Sequence, residues 1–161
     1  MREELYCKLK ARLEALCIDV DGVYFDASVE NMIDTDTIEK ERAIKHIDLW
    51  NRNVEFIEQE TAWARPAVFI EFVPFKWNVI VPGVEYRAQP LVNLHIVTDW
   101  VNQDVDIQQF RLMDKIHELL AGMSGKTFME FDIDSSSTNH NHEELVENIE
   151  TYTCVAFREL K

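Results

Sequence analysis

Residues 66–123 read PAVFIEFVPFKWNVIVPGVEYRAQPLVNLHIVTDWVNQDVDIQQFRLMDKIHELLAGM, and this stretch decides the fold. Apolar, β-branched and aromatic side chains alternate over residues 67–75, which predicts a β-strand. Residues 91–100 form a second run that is apolar on both sides, as is typical of a strand well inside a sheet. Pro82-Gly83 between them predicts a turn. We therefore expect two strands with a hairpin between them.

An amphipathic helix is predicted over residues 108–121, after an acidic spacer. Asp104 and Asp106 supply negative charge near its start, and Gly122 stands where a left-handed residue commonly ends a helix. Four apolar side chains of this segment form one stripe: Phe110, Met113, Ile116 and Leu120. The organising unit is therefore strand, hairpin, strand, and then a helix that packs on the sheet.

The first part of the chain begins with a second predicted helix, over residues 2–17. Its leucines lie on one face: Leu5, Leu9, Leu13 and Leu16. Residues 18–25 predict a short strand or an extended turn, weakened by Gly22. Residues 27–60 have no dominant pattern, since 39–45 fits a helix while 44–50 alternates well enough for a strand. We expect 27–60 to be a surface excursion whose apolar residues pack back onto the core.

Two more strands are predicted in the C-terminal part, over residues 127–133 and 149–160, with a polar loop at 135–139. The elements together predict a single α+β domain over residues 1–161. Its twisted, mainly antiparallel sheet carries the N-terminal helix and the second helix, about 108–121, on one face. The predicted core contains Val68, Ile70, Phe72, Leu94, Ile96, Phe110, Met113, Ile116 and Leu120, with Leu5, Leu9 and Leu13.

Composition excludes several classes of function. Thirty acidic and sixteen basic side chains give a formal net charge of −14 in a chain of 161 residues. Such a charge disfavours non-specific DNA binding and docking on an anionic membrane. No apolar run approaches the length that spans a bilayer. Cys7, Cys17 and Cys154 are odd in number and far apart, which favours reduced thiols over disulfides or a zinc site.

Two short motifs resemble binding loops but do not fit them. The acids around Gly22, from Asp19 to Asp26, lack the spacing of a calcium loop, so we expect a solvated acidic turn. Residues 124–127, SGKT, resemble the end of a phosphate-binding loop. The earlier glycine of that motif is missing, and the segment follows a helix instead of a strand. It is predicted to be a turn.

The histidines suggest one alternative hypothesis, a metal site. His140 and His142, with nearby acids, could hold a divalent metal on an extended segment, although no recognised spacing supports this. His95 lies in an apolar strand and is expected to be a satisfied sheet residue. His117 is expected to be a partly buried, hydrogen-bonded residue on the flank of its helix. No Ser/His/Asp or Cys/His set has the context of a nucleophile.

The tryptophans fall at or beyond the ends of predicted strands. Trp50, Trp77 and Trp100 are candidate subunit-interface residues, because tryptophan is enriched in interface hot spots. The alternative interpretation is that they pack at the edges of the core.

The order of these elements resembles the tail terminator (tail-completion) proteins of long-tailed phages and related head–tail joining proteins, as carried on prophages. An amphipathic helix precedes the strand PAVFIE, residues 66–71. A hairpin, an acidic spacer and a helix of the form D-x-I-H-x-x-L-x-G, residues 114–122, follow, and a C-terminal strand closes the chain. The likeness covers residues 2–17 and 64–160.

This resemblance implies a sheet with helices on one side and a closed ring, commonly a hexamer, that caps the tail tube. The implied partners are other copies of the chain, the tail-tube protein and the head-completion or connector protein. The implied location is the virion, with the host cytoplasm during assembly. The family has no catalytic residues, and no cofactor is implied. DNA would pass through the ring without specific binding, and an acidic wall suits this because it repels the phosphate backbone.

Two alternatives from other classes stay open. One is a small metal-dependent enzyme that uses His140 and His142. The other is a protein-binding adaptor that contacts its partner through the tryptophan edges.

Overall fold

The computed structural model describes residues 1–28, 40–50, 63–99, 107–139 and 145–161, and these form an α+β fold, as predicted. The elements are α1 (Arg2–Ala15), β1 (Leu16–Asp19), β2 (Tyr24–Asp26), β3 (Lys40–Arg42), β4 (His46–Leu49), β5 (Ala67–Phe72), β6 (Asn78–Val81), β7 (Glu85–Ala88), β8 (Leu91–Asp99), α2 (Ile107–Leu120), β9 (Phe128–Asn139) and β10 (Leu145–Glu159).

Helix α1 forms because its leucines recur every four residues and share one face. Leu5, Leu9 and Leu13 are completely buried, so this prediction is confirmed. The predicted end at residue 17 is wrong, because Leu16 already has extended backbone angles (φ −73°, ψ 116°) and begins β1. Leu16 is still buried, but as a strand residue.

A small sheet of three strands follows α1, in the order β2-β1-β3. The turn between β1 and β2 contains Gly22 at φ +77°, where a side chain would be strained. Asp19 Oδ1 accepts hydrogen bonds from the backbone N of Asp21 and of Val23, each 2.9 Å long. The acidic segment around Gly22 is therefore a turn that its own first carboxylate stabilises.

The large sheet has seven strands. Its hydrogen-bonded path is β4-β5-β8-β10-β7-β6, and β9 pairs with β10. Strands β5 and β8 are antiparallel, with Ile70 opposite Leu94. The hairpin β6–β7 lies between them in sequence, with its turn at Pro82-Gly83, as predicted. The pairing of β4 with β5 is parallel, whereas the other strand pairs of this sheet are antiparallel.

Strand β10 is the central strand of the large sheet. It pairs with β8 and β7 along one edge and with β9 along the other. The predicted loop at residues 135–139 is wrong, since these residues belong to β9. Their polar side chains bond to polar side chains of β10: Ser136 to Glu150 at 2.7 Å and Thr138 to Asn148 at 2.8 Å. Hydrogen-bonded pairs of polar side chains across the two strands thus extend β9 over residues whose composition predicts a loop.

Both helices cover one face of the large sheet. The core between the helices and the sheet is one cluster of buried residues. It includes residues of α1, α2, β4, β5, β8, β9 and β10. Ala43, Ile44 and Ile47 belong to this cluster, so these residues of the 27–60 segment pack back as expected, whereas Leu49 is 48% exposed. A helix over 39–45 is wrong where the structure describes it, because Lys40–Arg42 pairs with β1 as a strand.

One predicted core residue is misplaced. Phe110 is 52% exposed, whereas Leu112, Ile116 and Leu120 carry the buried stripe of α2. At about 100° per residue, position 110 lies about 120° around the helix from Ile116 and so leaves the core face. Met113 and Phe72 pack at the border of the core, and the other predicted core residues are buried. Gly122 ends the helix at φ +74°, as predicted.

Within the part of the chain that the structure describes, no helix is both long and apolar enough to cross a bilayer.

Candidate functional site

A groove lies where the first residues of α1, the loop before β6 and the last residues of β10 meet. Its volume is about 690 Å³, and residues from four distant segments line it. Its lining includes three aromatic and three basic side chains: Phe75, Trp77, Phe157, Arg2, Lys126 and Arg158. The fold alone brings them together, because none of these segments has an unusual local sequence.

Aromatic rings form one wall of the groove. Phe75 and Trp77 meet edge to face, with ring centroids 5.5 Å apart. The guanidinium of Arg2 lies over the Phe75 ring, 5.3 Å from its centroid. This cation–π contact holds a positive charge at the mouth of an apolar surface. Trp77 is half-buried, so part of its ring stays accessible.

Positive charge dominates the polar part of the groove. Arg2, Lys126 and Arg158 are exposed, and none forms an ion pair with a described carboxylate. Glu159 is the one acid that lines the groove among the residues described. In a chain with a net charge of −14, this local excess of unpaired cations is unusual. The groove therefore suits a ligand that combines a carboxylate with an apolar side chain.

The floor beside Lys126 is fixed by a carboxylate of the chain itself. Glu4 Oε1 accepts a hydrogen bond from the backbone N of Lys126 (2.6 Å), and Oε2 accepts from the backbone N and the hydroxyl of Thr127 (3.0 and 2.6 Å). A Cβ at Gly125 would lie 2.6 Å from both Glu4 Oε1 and Phe128 Cε1, so a side chain here would displace the Glu4 carboxylate and the buried Phe128 ring. The SGKT segment is thus a turn occupied by Glu4, which agrees with the rejection of a phosphate-binding loop.

The same hydrogen bonds predict a pH dependence. Chiefly the bond from the Lys126 backbone, and then that from the Thr127 hydroxyl, lower the pKa of Glu4. Because the folded-state pKa is lowered, the ionised Glu4 carboxylate stabilises the fold at any pH above the unfolded-state pKa of about 4.3. This stabilisation is lost as the pH falls through the folded-state pKa.

Glu4→Gln is therefore expected to cost about 1–2 kcal/mol of unfolding free energy at pH 7. The difference from the parent should shrink towards pH 3, measured by urea denaturation. Glu3→Gln is the matched control, since Glu3 lies in the same helical turn and is exposed. Equal losses for both variants would contradict the anchoring role of Glu4.

Strand β6 continues the rim of the groove as an exposed apolar edge. Its four residues are all exposed, with Val79 at 57% and Ile80 at 49%. Among the described strands it pairs only with β7. The backbone N of Leu160 donates to Val84 O (2.8 Å), which ties the groove-lining end of β10 to this hairpin. We call the groove and the exposed strand together the groove–edge surface.

The opposite face of the large sheet carries a second cluster. Glu71 Oε2 accepts hydrogen bonds from Asn93 Nδ2 (2.9 Å) and from His95 Nε2 (2.7 Å). Burial opposes ionisation of Glu71, but the hydrogen bonds from Asn93 and His95 outweigh it, and the pKa of Glu71 lies below its usual value. Thr151 Oγ1 donates to Asn93 Oδ1 (2.7 Å) and extends the network to β10.

The imidazole of His95 is the centre of this cluster. Its ring stacks flat on Trp50, with centroids 3.8 Å apart and planes 3° from parallel. Its Nδ1 lies 3.5 Å from Glu147 Oε2, so the ring stands between two carboxylates. His95 is 4% exposed, and the expectation of a satisfied sheet residue holds at Nε2, which bonds to Glu71, whereas Nδ1 has no hydrogen-bond partner among the described residues. Side-chain hydrogen bonds of this cluster link β5, β8 and β10.

The predicted site residues are not brought together. Trp50 lies in the His95 cluster, and Trp77 lies in the groove, among different neighbours. Trp100, His140 and His142 fall outside the described residues. Across the described segments, no group of three or more His, Cys, Asp or Glu side chains could hold a metal ion. His117 Nε2 contacts Asp132 Oδ1 at 3.1 Å, which confirms the predicted hydrogen bond. The three cysteines are free thiols.

Sequence reasoning missed the three cations of the groove. Arg2, Lys126 and Arg158 are 124 and 32 residues apart along the chain and lie in three separate elements or turns. The one sequence signal that could have drawn attention to these cations is the small number of basic residues in an acidic chain.

No known protein family and no curated protein sequence matches this chain.

Proposed function

We propose that the chain is a structural protein of the phage head–tail junction, a ring-forming tail terminator that caps the tail tube and has no enzymatic activity. The resemblance in the order of elements is the starting point. The α+β fold, a sheet with two helices on one face, is the architecture that this resemblance implies. The His95 cluster supports a structural role, because the hydrogen bonds of Glu71 to Asn93 and His95 join two neighbouring strands and the His95 ring is covered by Trp50.

One observation carries the proposal: the exposed apolar strand β6 at the end of the sheet path. Val79, Ile80 and Val81 are 57%, 49% and 44% exposed on a strand that pairs only with β7 among the described strands. Proteins that act as monomers protect such edges with charges, prolines or covering loops, because open apolar edges aggregate. A neighbouring copy in a ring would cover this edge.

The net charge of −14 per chain fits the same role. A ring concentrates this charge around its central opening, and a negative wall lets DNA pass without adhering to it. The partners in this proposal are further copies of the chain, the tail-tube protein on one side and a head-completion protein on the other. Assembly would take place in the host cytoplasm, and the product would be part of the virion.

Ile80→Glu tests the proposal. Like charges oppose ring closure at low salt, so the parent should shift from monomer to ring as salt is raised or as tail-tube protein of the same phage is added. The variant should stay monomeric under the same conditions, because a buried glutamate at the edge would be unpaired. Light scattering measures the mass, and far-UV circular dichroism checks that the variant folds.

Phe110→Glu is the matched control, since Phe110 is equally accessible at 52% but lies on α2, away from the edge. It should assemble like the parent. If the parent remains monomeric at every salt concentration and does not bind tube ends, the terminator proposal is wrong and the adaptor hypothesis replaces it.

A further inference from the structure

The β1–β2 turn is an exposed tip of mixed apolar and acidic character. Val20 is 72% exposed, the largest value among the exposed large apolar side chains described, and Val23 is 57% exposed. Asp21 is also exposed. The two backbone hydrogen bonds to Asp19 fix the turn, so these side chains project from a defined backbone. A pre-ordered tip loses less conformational entropy on binding than a flexible loop.

The groove–edge surface has the complementary character. It presents Phe75 and Trp77 as an apolar wall and three cations without a described ion-pair partner. A valine and an aspartate side chain together fit within a groove of about 690 Å³. One chain therefore carries both halves of a contact.

The β1–β2 turn and the groove of the same copy cannot contact each other. The groove contains Met1 and Arg2 at the start of α1, whereas the β1–β2 hairpin is attached at its end, where Ala27 N donates to Ala15 O and Arg12 pairs with Asp26. Helix α1 has 14 residues and is about 21 Å long. Two different patches on distant parts of one chain make a head-to-tail contact, and such contacts close rings.

We propose that the β1–β2 turn of one copy inserts into the groove of the next and forms the repeating contact of the ring. Asp21 pairs with Arg158 and Lys126, and Val20 packs against Phe75 and Trp77. This inference rests on the proposed ring and names the contact that builds it.

A second copy fits the groove better than a nucleic acid does. A polyanion would approach a chain of net charge −14 against long-range repulsion, while a turn with one accessible carboxylate and two exposed valines gains from both the cations and the aromatic wall. The occupant must supply apolar surface as well as charge, because the aromatic wall would otherwise stay solvated.

Charge reversal on each half tests the contact. Asp21→Lys and Arg158→Glu should each leave the chain monomeric, near 18.9 kDa, under the salt condition at which the parent forms rings. Reversal places like charges together, and we expect association to weaken at least about tenfold. Asp134→Lys, an exposed acid on β9 with the same change of charge, should assemble like the parent.

Two complementation experiments make the test specific. The double variant Asp21→Lys/Arg158→Glu restores opposite charges between copies and should regain assembly. In an equimolar mixture of the two single variants, every contact between unlike copies joins opposite charges, alternately the parental pair and the reversed pair, so the mixture should form rings in which the two variants alternate. Val20→Ser, which leaves the charge unchanged, should weaken association as well and replaces Asp21→Lys if that variant fails to fold.

The outcomes separate this contact from the proposed function. Rings from either single variant overturn the contact and leave the ring itself standing. Normal self-assembly combined with loss of tail-tube binding in Arg158→Glu also overturns it, because the groove would then receive the tube protein. A parent that is monomeric under every condition overturns both the contact and the ring.

Discussion

Phe131→Ala is expected to lower the free energy of unfolding by about 3–5 kcal/mol, a large share of the stability of a domain of this size. Phe131 is completely buried, and its ring stacks on Tyr152 with centroids 4.9 Å apart and planes 4° from parallel. The backbone on either side is fixed, since Phe131 O accepts from Gly122 N (2.8 Å) and Phe131 N donates to Met123 O (3.1 Å). The cavity therefore cannot collapse easily, and the cost depends on that.

The matched control for this substitution is Phe110→Ala. It removes the same atoms from a side chain that is 52% exposed, so the loss should stay below about 1 kcal/mol. Urea denaturation followed by tryptophan fluorescence measures both variants. A loss at Phe110 as large as that at Phe131 would mean that the stripe of α2 is assigned to the wrong residues.

Glu71→Ala is expected to cost about 2–3 kcal/mol at pH 7, the second large effect. The substitution removes the acceptor of two hydrogen bonds and leaves Asn93 and the 4%-exposed His95 without that partner. The Glu71 side chain is itself 35% exposed, and this solvent contact keeps the cost below that of a fully buried ion pair.

The pH dependence of this effect follows from the lowered pKa of Glu71. The carboxylate stabilises the fold above the unfolded-state pKa of about 4.3, and the contribution is lost as the pH falls through the lower folded-state value. The difference between parent and variant should therefore be complete at pH 7 and shrink below about pH 4. Asp134→Ala, an exposed acid for which no hydrogen bond or ion pair is described, should show almost no difference at either pH. A loss that is constant from pH 7 to pH 3 would exclude the ionised carboxylate as the cause.

Periodic segments could be predicted from the sequence because burial follows a simple geometric repeat. The leucines of α1 recur at helical spacing, and the buried Tyr152, Cys154 and Ala156 alternate along β10 with partly buried neighbours. In both cases one face meets the core, so the pattern of the chain directly reports the packing.

The same reasoning failed for strand residues with polar side chains. Ser136 and Thr138 resemble loop residues, yet they form β9 because Glu150 and Asn148 stand opposite them on β10. Such a strand depends on its partner and has no local signature. The stripe of α2 was misassigned for a related reason: Phe110 and Leu112 are both apolar, and only the orientation of the helix on the sheet selects Leu112.

The groove could not be predicted from local sequence patterns, because its residues are far apart along the chain. Trp77 could be proposed as an interface residue from its position at a strand end, and its role in assembly stays a prediction. Its neighbours Arg2 and Arg158 come from the beginning and the end of the described chain. Their meeting is a product of the long-range pairing of β10, which no single segment encodes.

The central position of β10 has a consequence for synthesis on the ribosome. A nascent chain that has reached only residue 144 has made β7, β8 and β9 but lacks the strand that pairs with all three. Until β10 emerges, those strands expose open edges, and the sheet cannot close around its core. Closure of the large sheet is therefore expected to wait for β10, and the interval before β10 emerges is the time of greatest exposure to aggregation and chaperones.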